Sequence, residues 1–116
     1  MPESILDFSA YKIAKKVQTG ELSALDVLES ALERIRTVDG RPGRLDGGDL
    51  TDEDRKKVHA FITLTEDRAR QQALAIDAKI RSGEPVGALA GVPTTIKDIF
   101  CVKGTPSTAG SRMLAN

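Results

Sequence analysis

Apolar side chains recur every three or four residues in three stretches of this chain, and gather without that period in two others. Over residues 9–18, Ile13, Ala14 and Val17 make one stripe. Ser9 precedes it as an N-cap and Gly20 follows as a stop, which predicts a short helix. Ser23 opens a second helix with Asp26 three residues on, a pairing of the capping-box type, and Leu25, Leu28, Ala31, Leu32 and Ile35 line its inner face. Glu29, Glu33, Arg34 and Arg36 then fall mostly on the outer face, as solvated charge. Thr51 with Asp54 predicts a cap for one or two helical turns. From Thr65 to about Arg81 a longer helix presents Ala69, Ala73, Ile76 and Ile80 on one side, and Gly83 and Pro85 end it.

The aperiodic runs read differently. Residues 60–64 form a brief β-type run, and residues 92–96, β-branched and preceded by Gly91, predict a buried strand with Pro93 among its first residues or at an edge. Lys97 and Asp98 fall at the C-terminal end of that strand, where α/β proteins tend to place their chemistry. The order helix, helix, strand, helix, strand predicts an α/β domain with a small sheet. Residues 39–50 contain Gly40, Pro42, Gly43, Gly47 and Gly48 among charges, the composition of a mobile loop. A phosphate cradle needs its glycines between a strand and a helix N-terminus, and neither flank fits.

Composition narrows the possibilities. A chain of 116 residues has room for one domain and one modest core. Phe8, Tyr11, Phe61 and Phe100 are its only aromatics, so Leu, Ile, Val and Ala must build that core. The 17 basic and 17 acidic side chains cancel, which argues against binding nucleic acid or an anionic membrane through a basic field. Cys101 is the single cysteine and His59 the single histidine, so there is no intrachain disulfide and no metal-ligand spacing, and a reducing, cytoplasmic setting is the simplest expectation. No apolar run approaches the roughly 20 residues that span a bilayer, and Glu3 and Asp7 stand where a signal peptide would be basic. The chain ends just after a glycine-rich loop, with no closing helix or strand, as a fragment would.

Lys97 is the candidate catalytic residue. Between Ile96 and, two residues on, Ile99, it either snorkels to water or is held inside with partners, and in the second case it sheds its proton more readily. A neutral amine there could activate a serine, directly or through another hydroxyl, for acyl transfer. The loop from Thr105 to Ser111, rich in hydroxyls and small residues, would let backbone approach a reacting centre, although the same letters describe a surface turn. The alternative for Lys97 is a structural ion pair with a carboxylate. Asp98 points to the other face of a strand and is expected to fix the turn through backbone N–H groups. Cys101 is read as a buried small hydrophobe before a nucleophile, and His59 as a helix-end or surface residue.

The segment Gly87-Ala88-Leu89-Ala90-Gly91-Val92-Pro93-Thr94-Thr95-Ile96-Lys97-Asp98 resembles the lysine-bearing segment of the amidase signature family. Its continuation from Cys101 through Ser111 to Leu114 and Asn116, together with Ala60-Phe61-Ile62-Thr63-Leu64-Thr65 and Glu21-Leu22-Ser23-Ala24, is similar to the A subunits of the aminoacyl-tRNA amidotransferases within it. The resemblance covers nearly the whole chain except the stretch near residues 40–50, which looks like an insertion. It implies that residues 1–116 are the N-terminal part of a single amidase domain, carrying N-terminal helices and the first strands of an incomplete sheet, with residues 39–50 a mobile insertion.

The family's catalytic triad is a serine nucleophile, a second serine in a cis peptide and a lysine; Lys97 falls on the lysine. The serines lie in a Gly-Gly-Ser-Ser-Gly-Gly-Ser type segment that this chain lacks, since its one Gly-Gly pair, Gly47-Gly48, is followed by Asp49. The resemblance therefore implies a chain inactive on its own. Its complete protein would take ammonia from L-glutamine and convert Glu-tRNA(Gln) or Asp-tRNA(Asn) to Gln-tRNA(Gln) or Asn-tRNA(Asn), with B and C subunits as partners. ATP and magnesium would be used by the complex, with no cofactor or metal held by this chain. A stand-alone amidase-signature hydrolase of small amides, and a non-catalytic helical interaction module, are the alternatives.

Overall fold

The computed structural model describes residues 3–40 and 51–114; the rest of the expected insertion, residues 41–50, lies outside the described residues. The helices form where the three- and four-residue spacing and its caps place them: α1 at Ala10–Gln18, α2 at Ala24–Val38, α3 at Asp52–Arg55 and α4 at Glu66–Arg81. A single 3-10 turn precedes α1 at Ile5–Asp7 and another follows the last loop at Arg112–Leu114. The chain divides into two compact units, one of Met1–Glu33 with Thr65–Thr94 and the other of Arg34–Leu64 with Thr95–Asn116.

The first unit holds the hydrophobic core. Ile13, Ala14 and Val17 of α1, Ala24, Val27, Leu28 and Leu32 of α2, and Ala73 of α4 are its buried apolar side chains, and α1 packs against α4. Burying one such aliphatic side chain contributes roughly 1.5–3 kcal/mol for the larger ones. Ser9 accepts the Lys12 amide at 3.2 Å, the N-cap the sequence predicts. α4 closes with a Schellman arrangement in which the Glu84 amide donates to Lys79 at 2.9 Å and the Gly83 amide to Ile80 at 3.2 Å, Gly83 taking φ +75°.

The start of α2 differs from its expected capping box. Ser23 Oγ accepts the Leu25 and Asp26 amides at 3.1 and 3.3 Å, but the carboxylate comes from α4: Asp77 accepts the Ala24 amide at 2.7 Å, the Leu25 amide at 3.1 Å and the Ser23 hydroxyl at 2.9 Å. A side chain 53 residues away from Ala24 thus satisfies the orphan donors of α2 and complements its dipole. Glu29 is likewise tied across the unit instead of solvated, receiving Arg70 Nε at 2.6 Å, while Arg70 also reaches Glu66 at 3.2 Å.

Gly91 brings the segment after α4 back onto α1. It adopts φ +85°, and a Cβ there would stand 2.8 Å from both methyls of Val17, which is fully buried. Gln18 Nε2 donates to the carbonyls of Gly87 and Ala88, each at 3.4 Å, steadying the same turn.

The second unit is built on polar anchors. Its buried residues among those described are Asp39, Asp54 and Thr108. Thr51 and Asp54 form a reciprocal capping box around α3. Beyond α2, Val58 and His59 donate to the carbonyls of Val38 and Asp39 at 3.1 and 3.2 Å, and the Asp39 carboxylate accepts the amides of Ala60 and Phe61, the latter at 3.3 Å.

No strand forms among the described residues, so the α/β expectation is met in its helices and not in its sheet. β-branched composition only suits a residue to a pleated surface; a strand exists by pairing. Residues 60–64 take their acceptors from Asp39 at one end instead of a ladder. Residues 92–96 run as irregular chain, with Val92 bonded back to Leu89 at 3.1 Å and Ile96 58% exposed instead of buried.

Replacing Gly91 by Ala forces a Cβ into Val17 and holds a side chain at positive φ. The expected loss is about 2–4 kcal/mol, read as a lowered denaturation midpoint, and Val17→Ala in the same chain should return part of it by making room. Equal midpoints for Gly91→Ala and the parent would contradict the contact. Asp77→Ala should cost about 0.5–2 kcal/mol and speed amide exchange at Ala24 and Leu25; unchanged exchange at both would refute the cap from α4.

Candidate functional site

The lysine singled out by the sequence sits on a turn. The Phe100 amide donates to the Lys97 carbonyl at 3.0 Å, closing Lys97, Asp98, Ile99 and Phe100 into one β-turn with Lys97 as its first residue. Lys97 is exposed, and its ammonium makes no hydrogen bond or ion pair among the described residues. This departs from the buried end of a strand: with no sheet to cover it, the segment leaves Ile96, Ile99 and Phe100 at 58, 56 and 61% exposure on either side of the lysine. The structural ion pair is not formed either among the described residues.

Asp98, the next residue, is a point of convergence. Its carboxylate accepts the Thr108 amide at 3.1 Å, the Thr108 hydroxyl, and the Gly110 amide at 3.5 Å. Its carbonyl accepts the Ala109 amide at 3.0 Å and the Ser107 hydroxyl at 3.4 Å. Three successive amides, Thr108 to Gly110, therefore point at one residue. The backbone that allows this has φ +49° at Ala109 and +72° at Gly110, the kind of concavity in which consecutive N–H groups hold an anion. The expectation that Asp98 fixes its turn through backbone N–H groups is met, across a span of ten to twelve residues instead of within the local turn.

These donors have an electrostatic consequence. The Thr108 hydroxyl, then its amide, hold the Asp98 carboxyl below the usual carboxylate range, opposed by partial desolvation and assisted by the Gly110 amide. Thr108 is fully buried although it sits in a loop, and its hydroxyl also accepts the Gly110 amide at 3.2 Å. Sequence reasoning passes over it as one hydroxyl among several. The signal is present only in part in the order Thr108-Ala109-Gly110, a hydroxyl followed by two small residues of which Gly110 alone takes positive φ without cost.

The other candidates separate from this site. Cys101 is exposed, against the expectation of a buried hydrophobe, because the turn after Lys97 leads to the surface. His59 is half-buried, at φ +53°, with Nε2 against the Asp54 carbonyl. Its contact with the last turn of α3 agrees with the helix-end half of the expectation, and its partial burial departs from the surface half. The Gly47-Gly48 pair lies outside the described residues. Among the described residues no cluster of three or more His, Cys, Asp or Glu could hold a metal ion, and no helix is long and apolar enough to cross a membrane.

Comparison with known proteins agrees with the family read from the segment around the lysine. A family model described as Amidase matches residues 51–116. The A subunit of glutamyl-tRNA(Gln) amidotransferase from Streptomyces coelicolor is 41% identical over 110 residues, 95% of this chain and 19% of that protein. The proteins of the same name from Nostoc punctiforme and Thermobifida fusca are 42% identical over 83% of the chain and 36% identical over 95% of it, respectively. The chain spans about a fifth of the length of these relatives. No solved structure matches it.

A carboxyl held below its unfolded value lends stability above that value and loses it as the pH falls through the native one. The loop closed on Asp98 should therefore stay intact from neutrality down to about pH 4, the usual aspartate range, and open below it. Amide shifts of Thr108 and Gly110 followed by NMR between pH 7 and 2 should move together in that acidic window, and Asp98→Asn should abolish the transition. Amide positions that stay fixed to pH 2 in the parent chain would contradict the clamp.

Proposed function

Because the chain belongs to the amidase family, we propose that Lys97 is the proton-transfer residue of an acyl-transfer centre that releases ammonia from L-glutamine. The observation that supports this most is the site's division of labour: the backbone from Lys97 onward is anchored, through its own carbonyl and through Asp98, while the ammonium meets no partner among the described residues. A base must be held at its stem and available at its head.

In this reading the lysine amine takes the proton of a serine hydroxyl, directly or through a second hydroxyl, and the serine oxygen attacks the carboxamide carbon of glutamine. The carbon–nitrogen bond breaks, ammonia leaves with the returned proton, and water hydrolyses the ester to glutamate. Neither family serine is present in residues 1–116. The lysine in this chain alone has no nucleophile to activate, so the 116-residue polypeptide is inactive by itself, as the N-terminal part of a single amidase domain with residues 39–50 inserted.

The relatives' names extend the reading to the A subunit of an amidotransferase. The ammonia is used on a mischarged Glu-tRNA(Gln) or Asp-tRNA(Asn), with ATP and magnesium consumed by a complex that includes B and C subunits, in the cytoplasm. The balanced charge of the chain is in keeping with tRNA being recognised elsewhere in that complex.

An ammonia-release assay with L-glutamine tests the proposal. The complete gene product should release ammonia, and Lys97→Ala should lower the rate by about 10²–10⁴-fold, the usual weight of a positioned proton-transfer group. The 116-residue chain alone should give none. Saturable turnover by the isolated chain, or full activity in Lys97→Ala, would overturn the assignment; release that needs neither tRNA nor partner subunits would favour a stand-alone amide hydrolase.

A further inference from the structure

We infer that Asp98 and Thr108 are positioning residues for Lys97, forming a clamp that fixes the lysine's backbone by closing the loop 98–110 directly beside it. The inference rests on the reading of Lys97 as the base and goes beyond it, because neither residue needs to touch substrate. Its ground is geometric. Lys97 is a turn residue on an exposed segment, with no strand pairing to hold it among the described residues. A lysine so placed would wander with its loop, since exposed turns outside regular structure are the most mobile parts of a chain. What opposes this is a set of contacts on the adjoining residue: the Asp98 carboxylate and carbonyl together accept from Ser107, Thr108, Ala109 and Gly110.

Thr108 is the other half of the clamp. It is one of the three largest fully buried side chains of the described chain, and it uses its hydroxyl twice, donating to Asp98 and accepting from Gly110 at 3.2 Å. Its own carbonyl takes the Ser111 amide at 2.8 Å. A valine of the same shape would fill the space and break both hydroxyl contacts, leaving the carboxylate short of a donor. Serine would keep them. The pair therefore has a chemical signature that packing alone does not share.

The consequence for catalysis follows from distance sensitivity. A displacement of about 1 Å in a reacting group can cost 10²-fold in rate. Loosening the clamp should thus act on the chemical step and spare substrate binding. In the complete gene product, Asp98→Asn and Thr108→Val should each lower kcat for ammonia release from L-glutamine by at least about tenfold with KM within about twofold, while Thr108→Ser stays near the parent. Gly110→Ala, which keeps the Asp98–Thr108 pair but places a Cβ at φ +72°, should fall between them.

Backbone ¹⁵N relaxation at Lys97 supplies the second readout, and it does not depend on activity. Mobility at Lys97 should rise in Asp98→Asn and Thr108→Val and stay at the parent level in Thr108→Ser. Parent-like kcat in Asp98→Asn, a change confined to KM, or unchanged mobility at Lys97 in both disrupted variants would each overturn the inference. If the parent releases no ammonia, the function proposed for Lys97 fails, and the relaxation comparison still decides whether the clamp exists.

Discussion

A backbone amide that finds no carbonyl must find another acceptor, and in this chain aspartate carboxylates meet that need at the places where the fold turns. Asp77 holds the first amides of α2 from α4. Asp54 closes the box around α3. Asp39 receives the chain at Ala60 and Phe61, and Asp98 receives it at Thr108 and Gly110. No buried side-chain polar atom among the described residues is left without a partner. Each such acceptor is worth about 0.5–2 kcal/mol as a cap, and losing one leaves a donor unsatisfied, which costs more than the bond contributed.

The two units use this device differently. The first has an aliphatic core of Ile13, Val17, Val27, Leu28 and Leu32, so Asp77 only orients helices that packing already stabilises. In the second, buried positions among the described residues are polar. There the carboxylates take the place that a core or a sheet ladder fills elsewhere, and the chain around Lys97 owes its shape to Asp98 and Thr108. A site assembled from hydrogen bonds on an exposed loop is precise while its donors are satisfied and is the first region to open when they are not.

The helices are legible in the sequence because their signals are local. Ser9, Thr51 and Gly83 lie within four residues of the groups they cap, and the stripe of α1 reports burial directly. That of α2 does so in part: Leu28 and Leu32 are buried, but Leu25, Ala31 and Ile35 are half-buried and Ala24 and Val27 take their place. The contribution of Asp77 is not legible, since its partners are more than fifty residues away and its identity says nothing about them. The strand expected at 92–96 fails for a related reason: Val92, Ile96 and their neighbours have the right side chains, but pairing is a property of a second segment that the described residues do not supply. Lys97 is found through the motif around it, while its exposure escapes the sequence, because apolar neighbours signal burial only where a sheet covers them. Asp98 reads correctly as a backbone acceptor, whereas Thr108 needs the three-dimensional closure of the loop to stand out from Thr105, Ser107 and Ser111.

The central claim is that Lys97 serves a serine nucleophile, and covalent trapping addresses it most directly. The complete gene product would be treated with an electrophilic glutamine analogue and the adduct located by peptide mass spectrometry, in the parent and in Lys97→Ala. The account predicts one adduct, on a serine, formed at least about a hundredfold more slowly without the lysine. An adduct on Cys101, or a serine adduct that forms at the same rate in both proteins, would contradict it.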